Sequence, residues 1–536
     1  MNGKIVIFEI TMIEMALFLF LKQSCQNLPL LNPLLIVSFF LFTIVFLFTR
    51  LKRSDDKLNV PPSPPSLPII GNLHQLGTHP HRSLRALSNK YGPLILLQLG
   101  YVPTLVVSSA DMVREIIKNH DVVFSNRPKT TAGDIFLYGC KDVAFSPYGE
   151  YWRQVRKICV LDLLSLKRVE QFQSVREEEA AALIDRIRKA CVINHGISLN
   201  LSEMLMETSN NIICRCVVGQ SGRGSWYGEL SRRMLVQFMS FSVGDYFPYL
   251  KWVDFIRGFT ARLKSTSEEL DTFSDQMVEE RKAIMRLGSS TDEHDMKDFV
   301  DILLRVQKNH RLDFELTQED VKAILQDMLL AGTETTSTTL EWLMAELMKN
   351  PRVMKKAQEE VRRIVGNKPK IDMNDIRNMV YLKCVVKESM RLHPPAPLLL
   401  ARETTENIEL GGYHIPAKTQ VFINAWAIQR DPKSWDSSEE FLPERFENSS
   451  IDFKVQDSQF IPFGFGRRGC PGLAFGIASV EYLITNLLYW FDWKLPEDSR
   501  LSDHDEDSSV DMSECYGLTV YKKVPLHLLP IPYILK

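Results

Sequence analysis

Residues 462–472 read PFGFGRRGCPG, and this short stretch limits what the chain can fold into more than any other. Gly464, Gly466 and Gly469 have the G-x-G-x-x-G spacing of a dinucleotide-binding loop. Such a loop lies between a strand and a helix inside a βαβ unit. Pro462 interrupts the preceding run, and too few residues follow the stretch to complete a mononucleotide-binding half. We therefore reject a dinucleotide site here.

The cysteine in this stretch supports a different interpretation. We expect Cys470 to be the N-cap of a helix over Leu473–Tyr489, with Pro471 at its first position. The free N–H groups of Gly472 and Leu473, together with the helix dipole, would then stabilise a thiolate. A thiolate that accepts from amide donors is a suitable fifth ligand for haem iron. A buried structural cysteine is the alternative, but it would not require the two arginines just before it.

Five positions of the stretch fit the pattern F-x-x-G-x-R-x-C-x-G, namely Phe463, Gly466, Arg468, Cys470 and Gly472. The pattern resembles the haem-ligand signature of the cytochrome P-450 superfamily. The resemblance implies a mainly α fold with small β-sheets, a haem b cofactor (iron protoporphyrin IX) and Cys470 as the metal ligand. It also implies that the cofactor contacts Phe463, Gly464, Arg468 and Gly472.

Ala331–Thr336, AGTETT, resembles the oxygen-activating helix segment of the same family. A long apolar helix has no structural need for closely spaced threonines, since β-branched hydroxyl residues weaken helices. The family has a local bend here that opens the helix toward dioxygen. The resemblance therefore implies that Thr335 and Glu334 are catalytic. Thr317 and Asp320 predict a capping box at the start of this helix.

Trp152 and Arg156 of the segment WRQVR lie one helical turn apart and therefore share a helix face. The family uses this pair against a haem propionate, and the resemblance adds Arg402 and Arg468 to the same charge clamp. Guanidinium groups suit carboxylates because of their planar fork of donors. Taken alone, Arg156 would be a solvated surface residue and Arg402 a charge at the edge of a hairpin.

Glu388 and Arg391 form an E-x-x-R pair on one helix face. Taken alone, such a pair predicts an ordinary surface ion pair. In the context of the family it resembles a buried ion pair, which Arg445 of the segment PERF joins. We assign these residues a structural role and no catalytic one.

The N-terminal part of the chain predicts a membrane anchor. Residues 28–48 carry no charge and are long enough to cross a hydrocarbon core of roughly 30 Å. A cleaved signal peptide is the competing interpretation, but no small-residue cleavage site follows. Basic residues come directly after and would hold the rest of the chain in the cytosol. The predicted divisions are a lumenal extension (1–27), a transmembrane helix (28–48), a basic and proline-rich hinge (49–72) and a catalytic domain (73–536). Whether the true start is Met1 or Met15 stays open.

Hydrophobic periodicity predicts a mainly helical body with a few short strands. Strands over Leu94–Leu99 and Thr104–Val107 flank a turn, and Asn407–Leu410 pairs with Tyr413–Ile415 in a hairpin. The acidic segment Glu497–Glu514 is expected to be an exposed loop before a last pair of short strands. The predicted helices are Ser174–Ala190, Asp320–Lys349, Pro351–Val365, Met379–Leu392 and Leu473–Tyr489.

Charge and cysteine spacing disfavour several other classes of protein. The formal net charge is −2, which gives no sign of a nucleic-acid partner. The cysteines include no C-x-x-C pair, so the pattern disfavours zinc-ribbon and thioredoxin-type sites. A disulfide framework is not expected in a chain of this size on the cytosolic side.

The motifs together resemble those of the plant microsomal A-type group and imply a haem-thiolate monooxygenase that uses O2. Electrons would come from NADPH through a separate flavoprotein reductase, which basic residues such as Arg153, Lys157 and Arg467 would meet. The chain would lie in the endoplasmic reticulum membrane with a single pass and its catalytic domain in the cytosol.

The resemblance also bears on the substrate. Segments 130–145, 239–247 and 394–400 occupy places where the family contacts substrate, and they offer Phe136, Phe241 and 398–400. Apolar side chains of this kind favour a lipophilic small molecule. The resemblance implies a plant specialised metabolite of the terpenoid, alkaloid or phenylpropanoid type.

Two alternatives to a monooxygenase remain. A haem-thiolate isomerase or dehydratase needs no external electrons, and that group usually lacks the threonine that Thr335 supplies here. A haem-binding protein without oxygenation is the other alternative, and Thr335 and Glu334 argue against it.

Overall fold

The computed structural model divides the chain into two compact units, Met1–Leu58 and Asn59–Lys536. It describes residues 37–43, 58–193, 198–219, 224–286, 298–308, 315–453, 457–496 and 510–534. In the first unit, residues 37–43 are helical and most of their side chains are exposed. The predicted extension 1–27 and most of the predicted transmembrane helix 28–48 lie outside the described residues.

Helices make up most of the second unit, as the periodicity predicts. In chain order they are α1 (Pro80–Tyr91), α2 (Ala110–Glu115), α3 (Thr131–Phe136), α4 (Glu150–Ile158), α5 (Leu166–Gln171), α6 (Gln173–Ile193), α7 (Leu201–Val218), α8 (Gly224–Phe238), α9 (Val243–Tyr246), α10 (Lys251–Ile256), α11 (Phe259–Arg286), α12 (Phe299–Lys308), α13 (Gln318–Lys349), α14 (Pro351–Val365), α15 (Met373–Asn378), α16 (Val380–Leu392), α17 (Ala425–Ile428) and α18 (Leu473–Trp490). Short π turns lie at Ile116–His120 and Cys159–Leu163, and 3-10 turns at Leu73–Gln75, Val123–Ser125, Pro248–Leu250, Pro443–Phe446 and Gly466–Arg468.

The strands form small sheets at the edges of the helical body. They are β1 (Leu94–Leu99), β2 (Val102–Val107), β3 (Leu199–Asn200), β4 (Arg402–Glu403), β5 (Ile408–Leu410), β6 (Tyr413–Ile415), β7 (Gln420–Ile423), β8 (Phe491–Lys494), β9 (Glu514–Tyr516), β10 (Val520–Lys522) and β11 (His527–Pro532). The largest sheet has the order β1-β2-β7-β4, with β2 and β7 parallel. The others are β3-β11-β8 and the hairpins β5-β6 and β9-β10. Both predicted strand pairs are present.

Helix α13 runs through the core of the second unit. It packs most extensively on α7 and also on α16 and α18, and most of its side chains are buried on every face. The predicted capping box is confirmed: Thr317 Oγ1 accepts from the Asp320 N–H at 3.3 Å, and Asp320 Oδ2 accepts from the Thr317 N–H at 2.7 Å.

Helix α18 packs beside α13 and is the more apolar of the two. Among the described residues it is the one helix long and apolar enough to cross a membrane, and 61% of that span is buried inside the unit.

The proline-rich segment packs onto the first sheet. Asn72 is fully buried, and its side-chain amide donates to the carbonyls of Pro64 at 3.4 Å and Pro65 at 3.3 Å. Its Oδ1 accepts from the Gln98 N–H at 2.8 Å. These contacts tie the segment to the edge strand β1.

The acidic segment near the C-terminus ends differently from the prediction. Residues 497–509 lie outside the described residues, but Glu514 is buried as the first residue of β9 and is not part of an exposed loop. Its Oε1 lies 2.5 Å from Arg82 Nε and 3.0 Å from His81 Nε2. Burial alone would raise the pKa of Glu514, but its contacts with His81 and Arg82 bring it well below its ordinary value. A third strand, β11, follows the expected pair.

Candidate active site

The loop from Phe463 to Cys470 closes on itself. The Cys470 N–H donates to the Phe463 carbonyl at 2.8 Å, and Gly464 and Gly466 between them have φ values of 72° and 63°. Residues with a side chain rarely adopt such angles. A Cβ on Gly466 would lie only 2.2 Å from Asp121 Oδ1. The glycine at 466 therefore makes room for Asp121.

Helix α18 begins at Leu473, and its N-cap is Gly472. The predictions of Cys470 as the N-cap and Pro471 as the first helical residue are therefore wrong, because both lie in the turn before the helix. The Gly472 N–H still lies close enough to the Cys470 sulfur to favour its thiolate, because it opposes the rise in the pKa of that thiol.

The Cys470 sulfur faces an internal space. Its side chain is exposed by surface area, yet burial is the main cause that raises the pKa of its thiol, while the Gly472 N–H and the Arg156 charge oppose the rise. Both observations hold when a side chain lines a cavity inside the protein. The Gly472 N–H and the Arg156 charge thus favour the thiolate, in the predicted direction, but burial outweighs them. Coordination to a metal ion would ionise the thiol, since a ligating thiol is deprotonated outright.

Arg156 and Arg402 bind the backbone of the same loop. Arg156 Nη2 donates to the Gly469 carbonyl at 2.6 Å. Arg402 Nη2 donates to the Phe465 carbonyl at 2.8 Å, and its guanidinium carbon lies 4.0 Å from the centroid of the Phe465 ring. Two of the predicted clamp residues are thus brought to the cysteine loop from α4 and β4.

Arg468 belongs to the loop itself and reaches across to the segment before α4. It donates to the backbone carbonyls of Ser125 at 2.7 Å, Val143 at 3.2 Å and Ser146 at 2.5 Å. The side chain is held by neutral acceptors alone, so its positive charge is oriented but not neutralised.

Among the described residues, the carboxylates whose charge acts on these arginines are not in direct contact with them: Asp142 acts on Arg468 and Asp121 on Arg402. Within the described part of the chain, Arg156, Arg402 and Arg468 form no ion pair with a carboxylate. Burial lowers the pKa of Arg402 to about 10, and burial together with the Arg402 charge lowers the pKa of Arg468 to about 9. Buried arginines are almost always paired with anions. Arginines without a carboxylate partner, beside a cysteine whose side chain is exposed, fit a ligand that carries both a metal ion and carboxylates. Haem is such a ligand.

Trp152 supports the arginines and does not face a ligand with its N–H group. Its Nε1 donates to the Val143 carbonyl at 3.0 Å. The guanidinium carbons of Arg468 and Arg156 lie 4.2 Å and 5.5 Å from its ring centroid. The indole is therefore a cation–π platform for both arginines, which differs from the direct propionate contact that the resemblance implies.

Arg127 is a member of this group that the sequence does not reveal. Its Nε donates to the Ala144 carbonyl at 2.8 Å. Its Nη1 donates to the backbone carbonyls of Leu400 at 2.6 Å and Ala401 at 2.7 Å. Burial, with the nearby Arg468 and Arg402 charges, keeps the pKa of Arg127 well below its ordinary value. Residues 125–128 read SNRP, which has no hydrophobic periodicity or charge pattern that would mark Arg127 as a site residue. Only the fold brings Arg127 to the site.

Helix α13 opens to space at one point in its buried length. Ala331 is exposed although the residues before Leu330 and after Thr335 are buried. The Thr335 hydroxyl lies at the same point and donates to the Ala331 carbonyl at 2.6 Å. The helix continues without interruption from Gln318 to Lys349, so the expected bend brings no break in it.

Glu334 has different neighbours from Thr335. Burial raises the pKa of Glu334 to about 7, while the Thr519 hydroxyl and the Arg232 charge oppose the rise. The Thr519 oxygen is close enough to act on this carboxyl, although it makes no hydrogen bond of good geometry. The Glu334 carboxyl thus lies near the turn between β9 and β10, whereas the Thr335 hydroxyl lies at the exposed point of α13.

The E-x-x-R pair is buried, as the context of the family predicts. Arg391 Nε lies 2.7 Å from Glu388 Oε2, and neither side chain has exposed surface. Arg445 Nε lies 3.0 Å from Glu388 Oε1. One carboxylate therefore binds two guanidinium groups in the core.

The predicted substrate residues divide into two groups. Phe136 is buried, and Phe241 is largely exposed and stacks on Tyr246. Phe145 is half-buried and lies 4.8 Å from the ring of Phe238, which falls one residue outside the predicted segment. The Phe145–Phe238 pair is thus a partly exposed aromatic surface beside these segments.

Comparison with known proteins identifies the family. The cytochrome P-450 family model matches residues 61–516. The chain is 56% identical over 510 residues to the phenylacetaldehyde oxime monooxygenase of Prunus mume, covering 94% of this chain and 95% of that protein. It is 47% identical over 496 residues to desmethylyatein synthase of Sinopodophyllum hexandrum, covering 92% and 98%. A zebra fish cytochrome P-450 structure with progesterone has a TM-score of 0.71 at 27% identity, covering 85% of this chain and 99% of that one. The chain belongs to the cytochrome P-450 family of haem-thiolate monooxygenases.

Proposed function

We propose that this chain is a membrane-anchored monooxygenase that uses O2 and NADPH-derived electrons to oxidise a lipophilic plant metabolite. One observation carries the proposal: the Cys470 sulfur opens to an internal space beside buried arginines that have no carboxylate partner among the described residues. A haem fits both halves of this observation, because it brings a metal for the sulfur and carboxylates for the arginines.

The residues that would hold the haem are those of the cysteine loop and its neighbours. Cys470 would be the iron ligand, with the Gly472 N–H supporting the thiolate. The propionates would bind to Arg156, Arg402 and Arg468, with Trp152 and Arg127 keeping these side chains in place. Phe463 and Gly464 would line the cofactor. When bound, the haem activates O2 so that one oxygen atom enters the substrate and the other becomes water.

Thr335 and Glu334 would supply the protons that this reaction consumes. The Thr335 hydroxyl lies at the open point of α13 and can hold water there. Because burial raises the pKa of Glu334 to about 7, it exchanges protons readily near neutral pH. Glu334 would take up a proton on the Thr519 side, and water at Thr335 would receive it.

The electrons would come from a separate flavoprotein reductase that docks on the Cys470 side. Arg153 and Lys157 are exposed on α4, the helix that carries Arg156, and Arg467 is exposed next to Arg468. Arg153 pairs with Glu150, and Arg467 lies 3.4 Å from Asp121, so Lys157 is the least neutralised of the three. A basic surface of this kind suits an acidic partner and gives fast, salt-sensitive association.

The substrate would be a small lipophilic specialised metabolite. The half-buried rings of Phe145 and Phe238 favour a molecule with a flat apolar part. The relative that is 56% identical is named for phenylacetaldehyde oxime, so an arylacetaldehyde oxime is the first substrate to test. Residues 28–48 would anchor the enzyme in the endoplasmic reticulum membrane, with the second unit in the cytosol.

The test begins with the reduced holoenzyme and carbon monoxide. We expect the difference band typical of a thiolate ligand, and its loss in Cys470→Ser, whereas the control Cys191→Ser, at another partly exposed cysteine, keeps it. With reductase and NADPH, the wild-type enzyme should consume phenylacetaldehyde oxime in the presence of O2. A thiolate-type band in Cys470→Ser would contradict the site, and turnover without reductase would contradict the monooxygenase reaction.

A further inference from the structure

Two buried carboxyl groups that the proposed reaction does not use lie between α13 and the loop before α4. Asp327 is on α13, upstream of Thr335, and Asp142 is in the loop. Asp142 has no exposed surface and Asp327 is 6% exposed. In the described part of the chain, neither forms an ion pair with a lysine or an arginine. Unpaired buried carboxyl groups are costly and call for a physical explanation.

Both carboxyl groups hold the same stretch of backbone. Asp327 Oδ2 accepts from the N–H groups of Val143 at 2.7 Å and Ala144 at 3.2 Å. Asp142 Oδ2 accepts from Ala144 at 3.0 Å and Phe145 at 2.7 Å. Both Oδ2 atoms contact the Ala144 N–H, so the two carboxyl groups are neighbours, and a hydrogen bond between them acts on the pKa of each.

Two ionised carboxylates in this position would repel each other strongly, because the surroundings exclude water. Burial raises the pKa of Asp327 well above its ordinary value, and the Asp142 charge adds to the rise. Burial also raises the pKa of Asp142, to about 6, although three N–H groups oppose it. Other charged or titratable side chains lie near the pair. Arg127 and Arg468 are near Asp142, and Cys159 and Tyr227 are near Asp327. Cys140 and Tyr151 also feel the charge of Asp142. The two arginines favour a negative charge on Asp142, so the proton belongs on Asp327.

The loop connects this acid pair to the arginines of the haem site. Asp327 holds the Val143 N–H, and the Val143 carbonyl accepts from Trp152 Nε1 at 3.0 Å and Arg468 Nη1 at 3.2 Å. The neighbouring Ala144 is held by both acids, and its carbonyl accepts from Arg127 Nε at 2.8 Å. A displacement of these two peptide groups would therefore displace the acceptors of all three side chains.

We propose that Asp142 and Asp327 share one proton and are positioning residues, fixing the loop whose carbonyls orient Trp152, Arg127 and Arg468 for haem binding. This inference rests on the proposed role of Arg468 at a propionate. While the proton is shared, one acid and one carboxylate hold the three N–H groups without repulsion. When the proton is lost, two buried anions face each other and the loop loosens.

The shared proton has a defined effect on stability. The pair keeps a proton in the folded protein that the unfolded chain has released, so stability falls as pH rises above the ordinary range of carboxyl groups. The fall ends once the pair itself has ionised. Replacing either acid by its amide removes the repulsion and with it this part of the pH dependence.

The experiment follows the holoenzyme over pH with two readouts, amide exchange of Val143 and Ala144 and haem transfer to apomyoglobin. Asp327→Asn keeps an acceptor and offers an N–H in place of the shared proton, so haem retention at neutral pH stays close to that of the wild type while the loosening at high pH disappears. Asp327→Ala removes the acceptor, so both amides exchange faster and haem loss accelerates about tenfold. The control Asp134→Asn, on the preceding helix α3 and exposed, keeps the wild-type pH dependence.

Each deviation has a defined meaning. Unchanged exchange of Val143 and Ala144 in Asp327→Ala overturns the proposal, and so does a high-pH loosening that persists in Asp327→Asn. Faster exchange without faster haem loss overturns the positioning role. If Asp327→Ala does not fold, Asp142→Asn and Asp327→Asn still decide between a shared proton and two independent acids. A failure of the haem site itself would show separately, as unchanged haem loss in Arg468→Met.

Discussion

Two groups of buried arginines in this enzyme are built in opposite ways. Arg391 and Arg445 meet on the carboxylate of Glu388, at 2.7 Å and 3.0 Å. Arg468, with Arg156 and Arg402, has only backbone carbonyls as acceptors among the described residues. Both groups pack on a tryptophan, with guanidinium carbons 5.3 Å from the ring of Trp435 for Arg391 and 4.2 Å from that of Trp152 for Arg468.

The difference separates a finished structural cluster from a binding site. A buried guanidinium with a carboxylate is satisfied by the fold, whereas one with only neutral acceptors keeps an electrostatic cost. The fold tolerates this cost when a ligand later supplies the anion. The charge balance, and not the residue type, thus distinguishes the arginines that hold the core from those that would hold a cofactor.

The largest effect is expected from Glu388→Gln. This change leaves Arg391 and Arg445 buried without an anion, and breaking a buried ion pair in this way costs about 3–5 kcal/mol. Urea unfolding of the holoenzyme, followed by circular dichroism, measures the loss. The control Asp185→Asn, which breaks an exposed pair with Lys189, should leave the unfolding curve unchanged. Equal curves for the two variants would contradict the structural role.

The next largest effect is expected from Arg468→Met, which should weaken haem binding without destabilising the polypeptide. Arg468→Met removes an unbalanced buried charge, so the polypeptide should unfold at a urea concentration no lower than the wild type once haem loss is taken into account. Haem transfer to apomyoglobin should become about tenfold or more faster, because hydrogen bonds to charged groups contribute about 1.5–3 kcal/mol. The matched variant Arg391→Met should destabilise the protein instead. If both variants destabilise equally, the distinction between the two arginine groups fails.

The fold was predictable where local signals act alone. Helix α14 begins at Pro351 and ends at Val365, as predicted, because proline suits the first turn and Gly366 accepts the φ of 63° that follows the helix. The capping box of α13 is also local, since Thr317 and Asp320 satisfy each other's N–H groups.

The motifs predicted which residues come together, but not their contacts. Arg468 and Trp152 meet beside the loop of Cys470, as two separate motifs predicted, whereas the N-cap at Gly472 depends on how the turn before α18 is closed. Gly466 is required by Asp121 and Trp152 is held by Val143. These contacts join residues that no periodic pattern connects, so sequence alone could not supply them.

A smaller effect is expected from Gly466→Ala, which tests how the loop presents Arg468. The alanine would have to adopt a φ of 63° with its Cβ 2.2 Å from Asp121 Oδ1. A strained backbone position of this kind costs about 1–3 kcal/mol, so thermal unfolding should begin earlier and haem content should fall.

Two further variants separate clash from backbone strain. Gly464→Ala has a similar φ, but its nearest atoms would lie 3.9 Å away, so we expect a smaller loss from strain alone. Asp121→Ala should partly rescue Gly466→Ala. Equal losses at 464 and 466, or no rescue, would contradict the explanation from Asp121.

The smallest effect concerns a buried acid that, unlike Glu388, has no guanidinium bound to it. Because burial raises the pKa of Glu334 to about 7, the carboxyl donates protons below that pH and is ionised above it. Product formed per NADPH consumed should therefore fall as pH rises through about 7 in the wild type. Glu334→Gln should lack this fall, at a yield a few-fold lower.

The same carboxyl also affects stability. Because its pKa is raised in the folded protein, stability falls as pH rises from about 4.5 to about 7, and Glu334→Gln removes that slope. Glu341→Gln, on the same helix but bound by Ser202 and the Lys522 N–H, should keep the wild-type yield profile. An unchanged profile in Glu334→Gln would show that the protons reach Thr335 by another path.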